Sequence, residues 1–110
     1  MQVKRIEKHP NYIVSTEGDV FREKKDGFHQ IVIDDSNGYS RVDIDGKKES
    51  VARLVLEAFR PSTNPAKCKA SHIDGNKTNC ALSNLVWLTQ SEVMLYARYT
   101  PEYRKQMFAQ

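Results

Sequence analysis

At Val51 the hydrophobic pattern of this chain changes period, and that change decides what its first half can fold into. Val51, Leu54, Val55, Ala58 and Phe59 fall at i, i+3, i+4, i+7 and i+8, one face of a helix. Ser50 offers an N-cap oxygen to that helix, and Pro61 ends it. Before Val51 the chain reads as short runs rich in β-branched and aromatic residues, punctuated by turn formers. Asn11 to Ser15 and Asp19 to Arg22 flank Glu17-Gly18, His29 to Asp34 follows a charged turn from Glu23 to Gly27, and Tyr39 to Ile44 follows a break at Ser36-Asn37-Gly38. Asp45-Gly46 is a two-residue hairpin signal, because both central positions of that turn need positive φ; Lys47 to Val51 is the return strand. A one-sided helix and strands joined by tight turns must cover one another. The expected fold class is therefore α+β, opening with a small N-terminal antiparallel β-sheet and a packed helix.

Pro61 to Ala66 reads as a loop, and a short strand starts at Lys69. A long polar turn from Asp74 to Asn84 leads into a second strand, Leu85 to Leu88. Thr89 and Glu92 stand in the capping-box relation, so a helix starts there and runs towards Tyr99; Pro101 opens a last one, Glu102 to Ala109. With 110 residues the chain fits one domain or two very small units sharing a core, divided at 1–60 and 61–110 and expected to form one compact body.

Composition narrows the function classes without choosing among them. The longest apolar run, Val93 to Ala97, is far too short to span a bilayer, so no membrane partner is expected. The start, Met1 to Arg5, is basic but lacks a following apolar stretch, which argues against a secretory signal and for a cytoplasmic location. A net charge of +3 suits a polyanionic partner but falls short of a dedicated nucleic-acid binder. The cations cluster at Lys4, Arg5 and Lys8, at Arg22, Lys24 and Lys25, at Lys47 with Lys48, and at Lys67 with Lys69. Cys68 and Cys80 read most simply as reduced, partly buried thiols. Zinc held by both with His72 and a distant His29 lacks a paired short ligand spacing, and a disulfide is the remaining alternative.

The stretch that carries chemistry runs from Ser71 to Asn79 and on from Ser83 to Thr89. A histidine ends one strand, a loop of Asp, Gly and Asn folds back, and an asparagine opens the next strand. Such a frame can hold an imidazole rigidly beside a metal or a phosphate, and an imidazole can take a proton from water at neutral pH. Taken alone, a histidine is more often structural, and the asparagines are turn formers.

The wording of that stretch shifts the balance. "HIDGNKTN" followed by "SNLVWLTQSE" resembles the HNH (His-Me finger) endonucleases of phages and mobile introns, whose ββα-metal site typically reads "NHIDGNKTNN…NLEWVT…EN". "VARLVLEAF" resembles the helix usually written "VHRLVAEAF" in that family, and "NYIVSTEGDVFR" resembles the short module often preceding such nucleases, "YEVSNLGRVRS". "NGYSRVDIDGKK" matches the hairpin between them, so the resemblance runs from about residue 11 to residue 92.

The resemblance implies a ββα-metal unit after the N-terminal module and hydrolysis of DNA phosphodiesters. His72 would be the general base, and Asn84 would hold the loop and the imidazole. Asp74, Gly75, Asn76 and Asn79 would build the turn. One divalent ion, magnesium or another, would act as Lewis acid, with no small-molecule cofactor. Lys77 would reach phosphate, with Arg22, Arg41, Lys47 and Lys48 as further DNA contacts; Tyr12, Phe21 and Tyr39 would share a groove-facing sheet with Arg22 and Arg41. The chain departs from the pattern at Ser71, where active relatives often carry Asp or Asn, at Val93 in place of a metal-binding Asn, and at Ala52 in place of His. Ser71 offers only a neutral hydroxyl, and Glu92 enters the ligand position only if the register moves by one residue. Two outcomes follow: an active, phage-type nuclease, or a catalytically silent derivative that grips nucleic acid or a protein partner. A phage inhibitor of a host nuclease or defence complex would be an example of the second.

Overall fold

Val51 does open a helix, and the strands before it divide into two sheets. The computed structural model describes residues 2–36, 38–62, 64 and 67–108. Strands β1 (Val3–Ile6), β2 (His9–Ser15), β3 (Val20–Lys24) and β4 (Gly27–Gln30) form an antiparallel meander in that order. Strands β5 (Arg41–Ile44) and β6 (Lys47–Ser50) form a separate hairpin, whose turn residues Asp45 and Gly46 have φ of 53° and 84°. Both values are positive, as the hairpin signal requires. Helix α1 (Val51–Phe59) is capped by the Ser50 hydroxyl, which accepts from the Arg53 N–H at 3.3 Å. Strands β7 (Cys68–His72) and β8 (Leu85–Thr89) make a third antiparallel pair, followed by α2 (Gln90–Tyr96) and α3 (Pro101–Phe108). The architecture is mixed α and β with antiparallel sheets and few helices, as expected.

Several boundaries differ from the sequence expectation, each for a physical reason. β1 carries no alternation because it is an edge strand whose Val3, Lys4 and Arg5 face solvent, leaving only Ile6 buried. The strand expected over 29–34 ends at Gln30, and Asp34 keeps only an isolated bridge to Arg41. Ile31, whose N–H still donates to the Val20 carbonyl at 2.8 Å, and Ile33 pack on the core. α2 stops at Tyr96, short of Tyr99. Asn37, Thr63, Pro65, Ala66 and Ala109, which figure in the expected break, loop and last helix, lie outside the described residues.

One core joins these elements. Val14 and Val20 from the meander, Val42 and Ile44 from the hairpin, Val51, Val55 and Leu56 from α1, and Leu85 from β8 are all nearly inaccessible and belong to a single cluster. Each such aliphatic contributes about 1.5–3 kcal/mol. Ala52, where the resembled motif has His, lies within this cluster, so an imidazole there would need a buried partner. Tyr12 is also core, which removes it from any solvent-facing surface.

The meander also braces the loop between β7 and β8. Ser15 is buried, and its hydroxyl accepts from the N–H groups of Glu17 and Asp19 at 3.2 and 3.1 Å, closing the β2–β3 turn. Gly18, at φ +91°, touches the backbone of Cys80 so closely that an added Cβ would lie 2.9 Å from its carbonyl oxygen. Beside it the Leu82 N–H donates to the Thr16 carbonyl at 2.7 Å. Among the described residues, no helix is long and apolar enough to cross a membrane.

Candidate active site

His72 ends β7 opposite Leu85 of β8, and the chain then folds through a loop built from its own short polar side chains. Asp74 Oδ1 accepts from the Asn76 N–H at 2.8 Å, and Asn76 Oδ1 accepts from the Thr78 N–H and hydroxyl at 3.1 and 2.8 Å. Gly75 takes φ +78°, a conformation that costs glycine little, and its N–H donates to the His72 carbonyl at 3.1 Å. Asn79 Nδ2 donates to Asp74 Oδ2 at 3.1 Å. Asn84, buried beneath the loop, donates through Nδ2 to Asp74 Oδ1 and to the Asn79 carbonyl at 2.9 and 3.0 Å. Its Oδ1 accepts from the Asp74 N–H at 3.1 Å, and its carbonyl from the Ile73 N–H at 2.7 Å. Asp74, Gly75, Asn76 and Asn79 thus form the turn, and Asn84 anchors it. Burial would raise the Asp74 carboxyl, but the bonds from Asn76, Asn84 and Asn79 hold it below the ordinary carboxylate range.

A cleft of about 440 Å³ opens beside this loop, between the β7–β8 pair and α2. Ser71, His72 and Val93 lie on its wall with three cations, Lys69, Lys77 and Arg104. Among the described residues, no carboxylate lines it. His72 is half-buried, and burial pushes its imidazole below the ordinary 6.5; the Asp74 carboxylate opposes that shift and the Lys77 ammonium adds to it. The imidazole is therefore neutral at pH 7, the form that can accept a proton. Its Nε2 lies 3.9 Å from Cys80 Sγ, a thiol that burial keeps protonated.

The comparisons with known proteins agree with this geometry. A family profile described as HNH endonuclease matches residues 50–95, from the cap of α1 to the last turn of α2. An uncharacterized HNH endonuclease of Acanthamoeba polyphaga mimivirus is 31% identical over 97 residues, which cover 83% of this chain and 28% of that protein. The solved structure of the HNH homing endonuclease I-HmuI, which binds and cleaves DNA, superposes with a TM-score of 0.69 at 28% identity. That match covers 97% of this chain and 66% of the other.

Residues 50–95 match the HNH family, and the chain is similar to HNH endonucleases over most of its length.

The strand pair and loop around His72 are formed, but the positions that the resemblance gives to a metal carry no carboxylate or amide oxygen. Ser71 and Val93 both face the cleft beside His72, and one offers a neutral hydroxyl while the other offers nothing. Glu92 is committed to the capping box: its Oε1 accepts from the Thr89 N–H at 3.0 Å while its own N–H donates to Thr89 Oγ1 at 3.2 Å. Among the described residues, no group of three His, Cys, Asp or Glu side chains could hold a metal ion. Magnesium is a hard ion that favours one or two carboxylates. An imidazole and a serine hydroxyl do not fit it. Cys68 and Cys80 are free thiols, and His29 sits on β4, bonded to Asp26 at 2.8 Å.

Of the five cations expected to meet DNA, the HNH cleft gathers only Lys77, whose ammonium lies 4.4 Å from the centre of the Tyr39 ring. Arg22 is on β3, its guanidinium 5.9 Å from the Tyr12 ring centre, and Arg41 starts β5. Lys47 and Lys48 are on β6, and the Lys48 ammonium is shared between Asp34 and Asp43 at 3.1 and 3.3 Å. Sequence reasoning missed two cleft residues. Lys69 precedes Ser71 by two positions on β7, a same-face spacing that could have revealed it. Arg104 has no such signal, because α3 reaches the cleft only through the tertiary fold.

Proposed function

We propose that this protein is an HNH endonuclease acting on duplex DNA, with His72 as its general base. The observation that carries the reading is the His72 imidazole, held neutral by burial on the open wall of a cleft lined by Lys69, Lys77 and Arg104. In that position it takes a proton from a water whose oxygen attacks a backbone phosphorus. A phosphorus–oxygen bond of the diester breaks, and the leaving oxygen takes its proton from solvent. Asn84 and the Asp74 turn keep the imidazole's strand end in place. DNA as substrate is supported by the likeness to I-HmuI, which binds and cleaves it. The chain also resembles nucleases of phages and mobile introns, and the reading places it in the cytoplasm of an infected host.

Supercoiled-plasmid nicking tests this, run with magnesium, with manganese and with chelator, wild type beside His72→Ala. The expected result is nicking by the wild type that falls at least about 100-fold in the variant, the scale of a lost general base. Equal nicking by both proteins would remove His72 from the chemistry, and no nicking by folded wild type would remove the nuclease.

A second reading is favoured by Ser71 and Val93 on the cleft wall: an HNH frame kept as a grip without hydrolysis. DNA retained without nicking selects that reading. A partner pulled from host lysate that survives nuclease digestion selects instead a protein target, such as a host nuclease or defence complex.

A further inference from the structure

We infer that Arg104, reaching back from α3, is a phosphate-binding residue of the cleft, and that with Lys69 and Lys77 it grips a nucleic-acid backbone phosphate without any divalent ion. The inference deepens the nuclease reading and rests on it for the choice of DNA as ligand.

Four observations carry it. The first is charge. The protein has 14 acidic residues, yet none lines the cleft among the described residues, while three cations do. The ion pairs among the described residues involve none of those three. Such a wall attracts an anion and repels a free divalent cation.

The second is the state of the guanidinium. Arg104 is half-buried, and its Nε is shielded from solvent without a hydrogen-bond partner among the described residues. A buried donor without a partner is costly, and a phosphate oxygen would satisfy it. The neighbouring cations are differently placed. Lys69 Nζ donates to Gln90 Oε1 at 2.7 Å, and Lys77 lies over Tyr39.

The third is the fit of α3 to the loop. Gly75 leaves the space that the guanidinium occupies: a Cβ there would lie 3.0 Å from Arg104 Nη2. A side chain at position 75 would be strained at φ +78° and would make the guanidinium give by a few tenths of an ångström. The turn therefore both presents the imidazole and admits the arginine.

The fourth is what the same wall has lost. Ser71 and Val93 supply no carboxylate or amide oxygen beside His72, so a phosphate entering the cleft meets fixed positive side chains where a metal would otherwise supply the charge. Arginine suits the task because its fork binds two phosphate oxygens at once.

Fluorescence anisotropy of a labelled duplex, measured in chelator and again with magnesium over a series of salt concentrations, tests the inference. Wild type is expected to bind in chelator with affinity within about twofold of that in magnesium. Arg104→Ala should bind about tenfold more weakly and reduce the salt slope by about 1, the share of one phosphate contact. Arg104→Lys should recover most of the slope and only part of the affinity, because the charge returns without the fork. Lys25→Ala, on the β3–β4 turn, is the comparison for loss of a distant charge, and circular dichroism confirms that each variant is folded. Arg104→Ala binding no more weakly than Lys25→Ala, or wild-type binding that vanishes in chelator, would overturn the inference. Nicking plays no part in the readout. Arg104-dependent binding by a protein that never nicks keeps this inference and ends the nuclease reading.

Discussion

Asn84 and Asp74 hold each other reciprocally: the Asp74 N–H donates to Asn84 Oδ1 at 3.1 Å, and Asn84 Nδ2 donates back to Asp74 Oδ1 at 2.9 Å. The pair, ten positions apart, closes the excursion between the end of β7 and the start of β8, so the strand end carrying His72 is locked from below. A carboxylate partner is held in its ionised form, and both N–H donors of a buried amide are used.

Replacing Asn84 with Ala leaves the Asp74 N–H and the Asn79 carbonyl without their partner. Denaturant melts should show a loss of about 2–3 kcal/mol. Asn84→Asp should be no better, because it sets a second carboxylate against Asp74 and removes the donor. A variant as stable as wild type would show that the loop holds itself.

Gly18→Ala tests the contact between the meander and the loop. The new Cβ meets the Cys80 carbonyl at 2.9 Å, and φ +91° is strained for alanine. Close backbone contact cannot be relieved by rotating a side chain, so the expected loss is about 2–4 kcal/mol, read as a lower melting temperature. Gly27→Ala, at φ +128° but with nothing within 4 Å, carries strain without the clash and should cost less. Equal losses would mean that the contact with Cys80 contributes nothing.

His72 gives the pH dependence. Its folded value lies below 6.5, chiefly through burial, so between that value and 6.5 the unfolded chain binds more protons than the native one. Stability must then fall as pH drops through 6.5 and level off below the folded value. Nicking that uses the neutral imidazole should persist below pH 6.5 and fade only as the folded group protonates. An NMR titration of the His72 ring in the folded protein checks the premise, and a midpoint at or above 6.5 would refute it.

Restoring oxygen donors to the wall should create a metal site. Ser71→Asp with Val93→Asn places a carboxylate and an amide oxygen beside His72, where now a hydroxyl and a methyl pair stand. Calorimetric titration with magnesium should show binding by the double variant that exceeds wild type at least tenfold, the scale of one added charge-assisted ligand. Glu92→Gln should leave magnesium affinity and α2 unchanged, since a glutamine oxygen can fill the same capping-box position. A drop in magnesium affinity on Glu92→Gln would instead place Glu92 on the metal.

What could be read from the chain was whatever its neighbours in sequence decide. The helix at Val51–Phe59 follows from 3.6-residue spacing between Ser50 and Pro61, and the β5–β6 turn from the need for positive φ at Asp45 and Gly46. The Thr89–Glu92 box and the bonds within the Asp74 turn are likewise local, so motif wording from residue 11 to 92 also carried the family. Tertiary packing alone decided the rest. β1 has a solvated face and hence no alternation to read, and Tyr12 enters the core although its strand could have faced a ligand. That Gly18 meets Cys80, that Val93 rather than Glu92 lines the cleft with His72, and that Arg104 returns to Gly75 are placements between residues far apart in sequence or set by helix phase. Long-range contacts leave no periodic trace, because they are selected by shape and charge after the local elements have formed.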